Sequence, residues 1–414
     1  MSLDNYSMLK ALRITDPNIE LLDYSEEIIR GERKKIIAAR LTCPCERCPY
    51  CGFIDVIKNG SRLTTVRLPA LDYVRCELHL RKQRFLCKNC GSTWGPEPIL
   101  TKKNNTLSQP LRHNIIAMIY EGLPMTTIAK MVHCSPSSIG RIFNEFVQPR
   151  QRLAVLPKHL CFDEFRSVGS HMSFICCDAK DEHQVVTILP NRLTKTITNY
   201  FLNRYSLPER ERVQSVVVDL NAQYATFISW IFPNAQIIID RFHIVQMAGR
   251  ALVQTRVQLH KQISDHRSRE YKILKSHWWL FQKNEHEIDD SKIAYLHGVN
   301  EYMTQRNALD LIFTNHPQSH VVYQTYQALI NAVTAHDPQA FITLITTYTP
   351  NGSVMDQVIS SLKHAQKYVL NGVTSTLSNG PIEGLICKIK TLKKACYGFR
   401  NSLNFFKRIA CILK

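Results

Sequence analysis

No run of 18 or more apolar residues occurs in this 414-residue chain, so the sequence offers no membrane-spanning helix. The opening stretch, MSLDNYSMLKALRITD, has no apolar secretory core, and no signal peptide is read in it. Internal repeats and low-complexity tracts are also missing, which argues against a repeat array. Acidic residues are scarce beside basic ones: 34 Asp and Glu stand against 52 Lys and Arg, a formal charge of +18. An excess of that size favours a polyanionic partner, because each neutralised phosphate releases condensed counterions. A membrane surface is the weaker rival, since no basic amphipathic helix with a clean apolar face stands out.

What is present describes ordinary globular material, 44% hydrophobic and 21% charged. The length suits two or three domains, each with its own core. Residues 1–40 are weakly periodic and read as a lead-in. Residues 41–100 hold the cysteine pairs, the strand-like stretches RCELHL and RKQRFLC, and turn signals at Asn59-Gly60 and Gly91. Residues 101–150 turn helical, with Pro149 at the end. Across 151–245, strand-like runs (LCFDEF, FICCDA, QVVTIL, VQSVVVDL, AQIIID) alternate with helical ones, the pattern of a mixed α/β sheet. Residues 246–350 read as an all-α region, with Trp278 and Trp279 assigned to its core. Residues 351–414 are helical again, broken at Asn371-Gly372 and Asn379-Gly380-Pro381. The expected fold class is multidomain α/β.

Fourteen cysteines without a secretory signal point to reduced thiols and a metal, not to a disulfide framework. Seven of them lie between Cys43 and Cys90. Cys48-Pro-Tyr-Cys51 and Cys87-Lys-Asn-Cys90 are two C-x-x-C knuckles, each followed by Gly. The two-residue gap lets both sulfurs of a knuckle reach one ion, and two knuckles supply the four-sulfur shell of a structural Zn²⁺. A hairpin or two must close the long stretch between them. Cys45-x-x-Cys48 is a competing pair, so Cys43 or Cys45 stays open as a ligand. The remaining cysteines, Cys76, Cys134, Cys161, Cys176, Cys177, Cys387, Cys396 and Cys411, read as small core residues.

The segment from Met125 to Phe143 fits helix, tight turn, helix. Ala129 is small where two helices cross, and Ile128, Val132, Ile139 and Phe143 can fill a shared core. Ser135 suits the cap of the second helix and Pro136 its first turn. Ser137, Ser138 and Arg141 then point outward, toward a DNA major groove and its phosphates. His133 occupies the turn position that Gly often holds.

Two acids close apolar runs: Asp163 after His159-Leu-Cys-Phe, and Asp219 after Val213-Gln-Ser-Val-Val-Val. A carboxylate that ends a buried strand sits at the rim of its sheet, where a ligand can reach it. Glu383 starts a helical stretch in Ser378-Asn-Gly-Pro-Ile-Glu383. Three converging acids repel unless divalent cations neutralise them, and Mg²⁺ (or Mn²⁺) accepts such hard oxygen ligands. Strand-end Asp and helix-start Glu are also common structural residues, so spacing alone leaves that reading open.

Wording narrows it. Phe162-Asp163-Glu164-Phe165, Val218-Asp219 with Tyr224, Phe232-Pro-Asn-Ala235 leading to Asp240-Arg-Phe-His243, the 378–390 segment and Tyr397-Gly-Phe-Arg-Asn401 resemble the DDE transposases of the insertion-sequence L-three type. The order of modules is similar too. The resemblance implies a zinc-ribbon-like N-terminus, a helix-turn-helix, and a ribonuclease-H-like catalytic domain interrupted by an all-α insertion. It implies that Asp163, Asp219 and Glu383 bind catalytic Mg²⁺ or Mn²⁺, with Asp240 and His243 supporting the site or contacting DNA. Their plainer reading is a strand-end Asp and a capping His. One departure is Ile386, three residues after the Glu, where such transposases usually carry Asn.

The function so implied is transposition: binding of terminal inverted repeats, cleavage at the element ends, and joining of a 3′-hydroxyl to target DNA. The partners expected are double-stranded DNA and further copies of the chain, as a homodimer or larger synaptic complex. The expected location is the cytoplasm of a bacterium, on the nucleoid. Ile386 speaks for the alternative, a catalytically weakened remnant that only binds DNA. An ordinary nuclease without strand transfer is a third reading.

Overall fold

A computed structural model describes residues 5–147, 153–220 and 222–413. Pro149 and the expected boundary at 150/151 lie outside the described residues. The chain divides into two compact units: Met1–Arg150 with Lys388–Lys414, and Gln151–Cys387.

The first unit opens with α1 (Asn5–Ala11), β1 (Ile19–Ile29), β2 (Glu32–Leu41), β3 (Val56–Arg67), β4 (Arg75–Cys87) and β5 (Thr93–Trp94). The strands form one sheet, ordered β1-β2-β4-β3 with β5 added to β4. Residues 1–40 are thus more than a lead-in: β1 and β2 are a long antiparallel hairpin, and β2 runs parallel to β4. The hairpin hid in the sequence because its turn is Arg30-Gly31, with Arg30 at φ 53°, where Asn or Asp is the usual signal. Ile19, Leu21, Ile37, Ala39 and Leu41 form one buried cluster with Val66, Leu78 and Leu80 of the same sheet. Asn59-Gly60 is a bulge within β3, since the pairing with β4 skips register between Lys58 and Ser61.

Next come α2 (Gln109–Tyr120), α3 (Met125–Met131) and α4 (Pro136–Phe146). Ser135 caps α4 by accepting from the Ser138 amide, and Pro136 fills its first turn. Ile115, Ile119, Ile128, Ala129, Ile139 and Phe143 form the core of these helices. His133 turns the chain at φ 53°. Its ring is held by the Tyr73 carbonyl at 2.8 Å, and its own carbonyl accepts from Arg67 at 3.0 Å.

The second unit is built on β6 (His159–Arg166), β7 (Met172–Asp178) and β8 (Val185–Leu189), then α5 (Thr194–Arg204), α6 (Leu207–Glu211), β9 (Ser215–Val218), α7 (Ala222–Ile231) and β10 (Gln236–Ile239). The sheet order is β10-β9-β6-β7-β8. β6, β7 and β8 are antiparallel neighbours, whereas β9 and β10 run parallel to β6. Every strand-like run read from the sequence is therefore a strand here. Phe162, Phe174, Phe201 and Phe232 are buried together beneath it.

Helices follow: α8 (Arg241–Gln262), α9 (Arg269–Ser276), then a short hairpin, β11 (Ala294–Leu296) with β12 (Glu301–Met303). After it come α10 (Gln305–Asn315), α11 (Pro317–Thr334), α12 (Pro338–Thr347), α13 (Val354–His364), α14 (Gln366–Thr374), α15 (Gly380–Ala395) and α16 (Ser402–Ile412). The 246–350 region is helical but carries that hairpin, so it is not all-α. Trp278 and Trp279 are 47% and 40% exposed, which corrects their assignment to the core. Leu280 and Phe281, the next two residues, take the buried places instead.

Asn371-Gly372 is no break either. Both lie inside α14, which packs on the edge strand β10: Asn371 donates to the Ile237 carbonyl at 2.7 Å. A Cβ at Gly372 would stand 2.0 Å from the Ile239 oxygen, so only Gly permits that approach. Residues 388–414, read with the last domain, belong to the first unit, where Cys411 joins the α2–α4 core and Arg408 donates to the Leu123 carbonyl at 2.7 Å. Most of the remaining cysteines are buried as expected, but Cys387 is exposed and Cys396 half-buried.

Candidate active site

In the second unit the parallel strands set the acids. The ladder between β6 and β9 ends at Cys161 and Val217, and Asp163 lies just past it, mid-strand rather than at a strand end. Asp219 follows the last residue of β9, and Asp240 the last residue of β10. Parallel strands ending side by side bring whatever follows them to one rim of the sheet. Asp240 also caps α8, is 2% exposed, and has its amide bonded to the Val218 carbonyl at 3.0 Å.

His243, in the first turn of α8, ties these positions together. Its Nε2 lies 3.1 Å from one Asp219 oxygen and its Nδ1 3.4 Å from Asp240. Glu383, exposed in the first turn of α15, comes to the same place: ligand atoms of Asp240, His243 and Glu383 all lie within 4.8 Å of one another. Asp163 and Asp219 share with His243 an open cleft of about 540 Å³. Of the residues predicted from sequence, Asp219 and Asp240 are bonded to His243, Glu383 lies within 4.8 Å of Asp240 and His243, and Asp163 shares the cleft with Asp219 and His243. Asp163, Asp219 and Glu383 do not themselves close to that distance among the described residues.

The electrostatics are those of crowded acids. Burial pushes the Asp163 carboxyl up to about 7, with the charge of Asp219 acting in the same direction. Hydrogen bonds to Asp219 and then Asp240 push the His243 imidazole up to about 10. An imidazolium between two carboxylates partly compensates them. Hard oxygen donors converging at a rim fit Mg²⁺ or Mn²⁺ well.

Sequence reasoning missed three contributors. Glu164 also lines the cleft, where it accepts from the Tyr224 hydroxyl at 2.7 Å and from Arg192 at 2.5 Å. Asn379, fully buried, donates its amide to Asp219 at 3.1 Å. Arg250 lines the cleft from two turns further along α8. The only signal was the Asn in Ser-Asn-Gly-Pro, which reads locally as a turn residue. Ile386 is 4% exposed, on the buried side of α15 with Ile382, whereas Glu383 is on the exposed side.

In the first unit the cysteines assemble as proposed. Cys48 and Cys90 sulfurs are 3.6 Å apart, as are those of Cys51 and Cys87, and all four lie within 4.8 Å of one another. That spacing is far beyond a disulfide and close to the edge, about 3.8 Å, of a tetrahedron with Zn–S bonds of about 2.3 Å. The knuckles repeat one geometry: the Gly52 amide bonds the Cys48 carbonyl at 2.9 Å, and the Gly91 amide the Cys87 carbonyl at 3.0 Å. Both glycines have positive φ, 74° and 67°. One hairpin, β3 with β4, closes the gap, pairing Val56 with Cys87. Cys43 and Cys45 stay outside the cluster, and the Cys45 thiol faces the Arg47 carbonyl. On α4, Ser137 and Arg141 are exposed and Ser138 half-buried; Arg141 donates to Ser138 at 3.2 Å.

The family model of the ISL3-type DDE transposases, described as a transposase, matches residues 160–409. The chain belongs to that transposase family. A second model, for the zinc-finger of the transposases of IS204, IS1001, IS1096 and IS1165, matches residues 44–90 of this transposase and so spans all four clustered cysteines. The transposase for insertion sequence element IS1001 of Bordetella parapertussis is 23% identical over 369 residues, 87% of each chain. A Lactococcus lactis subsp. lactis protein named ATP-dependent protease is 31% identical over 108 residues, only 26% of this chain and 35% of that one. Among the described residues no helix is long and apolar enough to cross a membrane.

Proposed function

We propose that the second unit is a ribonuclease-H-like phosphoryl-transfer domain whose Asp163, Asp219 and Glu383 hold Mg²⁺ or Mn²⁺, and that the protein cuts and rejoins DNA at the ends of an insertion sequence. The observation that carries the reading is the meeting of Asp219, Asp240, His243 and Glu383 at the rim of the sheet, beside the Asp163 cleft. Bound divalent ions would activate the attacking oxygen and stabilise the leaving one in an in-line displacement. Asp163 and Asp219 line the cleft, from which they would orient the scissile phosphate through those ions. His243 holds Asp219 in place, with Asp240 fixing the ring from behind. Hydrolysis frees a 3′-hydroxyl, and the same acids then serve its attack on target DNA, so no covalent enzyme intermediate is needed.

The first unit reads the DNA. In this reading α3, the His133 turn and α4 form a helix-turn-helix, with Ser137, Ser138 and Arg141 facing the terminal inverted repeats. The zinc module braces the sheet beside it. Cutting two ends and joining them requires two active sites, hence a homodimer or larger assembly, acting on cytoplasmic, nucleoid-associated DNA. Ile386 fills a buried, apolar position and leaves Glu383 free, which favours an active enzyme over a DNA-binding remnant.

The test mixes purified protein with Mg²⁺ or Mn²⁺ and a labelled duplex carrying the element's end. Joined strand-transfer products are expected. Binding without cleavage would return the remnant reading, and cleavage without joining the plain nuclease.

A further inference from the structure

The face of α8 that carries His243 continues past the acids. Gln246, Met247 and Arg250 follow at steps of three and four residues, the spacing that keeps side chains on one side of an α-helix. All of them line the cleft that holds Asp163 and Asp219. At 1.5 Å per residue, Arg250 lies about 10 Å along the helix from His243. It is exposed, and its guanidinium donates to Gln246 Oε1 at 2.5 Å. Among the described residues no carboxylate forms an ion pair with it, whereas the other arginine of the cleft, Arg192, is engaged by Glu164 at 2.5 Å. Met172, Leu220 and Met247 give the cleft apolar surface.

A polyanionic strand approaching two acids meets repulsion, and the cations that offset it must come from bound metal or from the cleft wall. Arg250 is the wall cation not committed to an acid. Its planar fork matches two oxygens of one phosphate. Neighbouring phosphates of one strand stand about 6–7 Å apart through space, because the strand winds as it rises, so about 10 Å corresponds to one or two nucleotides.

We propose that Arg250 is a positioning residue for the DNA strand being cut: it takes a backbone phosphate one or two nucleotides from the scissile one. Gln246 holds the guanidinium in place, and Met247 packs against the intervening sugars. The proposal rests on the phosphoryl-transfer reading of the acids.

The experiment replaces each phosphate within five nucleotides of the cut, one at a time, by a neutral methylphosphonate. Wild type, Arg250→Ala and Arg250→Lys then cleave the set with Mn²⁺. On unmodified DNA, Arg250→Ala is expected to raise KM about tenfold and leave kcat within about twofold, with partial recovery in Arg250→Lys. One methylphosphonate position should slow wild type about tenfold yet barely slow Arg250→Ala further, the signature of two partners in one contact. The thermal midpoint should not move, because the side chain is exposed. Equal losses in wild type and Arg250→Ala at every position overturn the proposal while leaving the enzyme reading intact. A wild type that cuts nothing overturns the enzyme reading, and the proposal with it.

Discussion

Asn379 donates its side-chain amide to Asp219 at 3.1 Å, across 160 residues of sequence. Asn379 is fully buried, and its side-chain Oδ1 has no partner among the described residues, while its backbone carbonyl accepts from the Glu383 amide at 3.0 Å. An amide kept inside at that cost fixes one oxygen of Asp219 while His243 fixes the other. Asn379→Ala is expected to lower cleavage 10- to 100-fold, by analogy with other groups that orient metal-binding carboxylates. The half-saturating Mn²⁺ concentration should rise. An unchanged metal dependence would mean that Asn379 serves packing alone.

Gly372 governs a second relationship, between α14 and the strand that delivers Asp240. Gly372→Ala drives a methyl into the Ile239 carbonyl, so helix and strand must part. A loss of about 2–3 kcal/mol is expected, read as a lower thermal midpoint together with weakened cleavage. Gly384→Ala is the control: nothing lies within 4 Å of its Cβ, and stability should hold or rise slightly.

One zinc per chain is expected from elemental analysis. Cys48→Ser, Cys51→Ser, Cys87→Ser and Cys90→Ser should each lose it, while Cys43→Ser and Cys45→Ser should keep it. Chelation should also lower the stability of the β3–β4 hairpin, because binding energy in a structural site is folding energy.

The tryptophan pair separates surface from core. Trp279→Ala should cost about 1–2 kcal/mol, since the residue is 40% exposed and only part of its ring is covered. Leu280→Ala next to it removes a fully buried side chain and should cost about 2–5 kcal/mol in a denaturant titration.

Acid should weaken the first unit through Glu145. Hydrogen bonds from Lys102 and then Arg112 hold its carboxyl below the usual 4.5. A carboxylate with a depressed folded value contributes stability above its unfolded pKa and loses it as pH falls through the folded one. Glu145→Gln should therefore flatten the pH dependence of unfolding below about pH 4.5.

The sequence made the central sheet legible because its strands are apolar runs buried on both faces, and periodicity marks those well. Asp219 could be found because a carboxylate after Val-Val-Val must lie at a rim. Asp163 was found for a partly different reason: β6 runs on to Arg166, and it is the shorter β9 that exposes the site. The zinc ligands were readable as spacing, and three-dimensional closure then separated Cys48 from Cys43 and Cys45. Other features were hidden because tertiary packing overrode local signals. Asn371-Gly372 looks like a turn, yet the missing Cβ serves helix-on-strand contact. Trp278-Trp279 looks like core, yet its neighbours fill the space. Arg30-Gly31 turns a hairpin with a residue that seldom adopts positive φ. The role of Asn379 depends on a partner 160 residues away, which no local pattern carries.

Binding of Mn²⁺, followed by electron paramagnetic resonance with end DNA present, tests the metal-holding triad most directly. Wild type should bind a pair of ions, and Asp163→Ala, Asp219→Ala and Glu383→Ala should each lose at least one. Full binding in Asp163→Ala and Asp219→Ala would contradict the account, leaving the ion to Asp240, His243 and Glu383 alone.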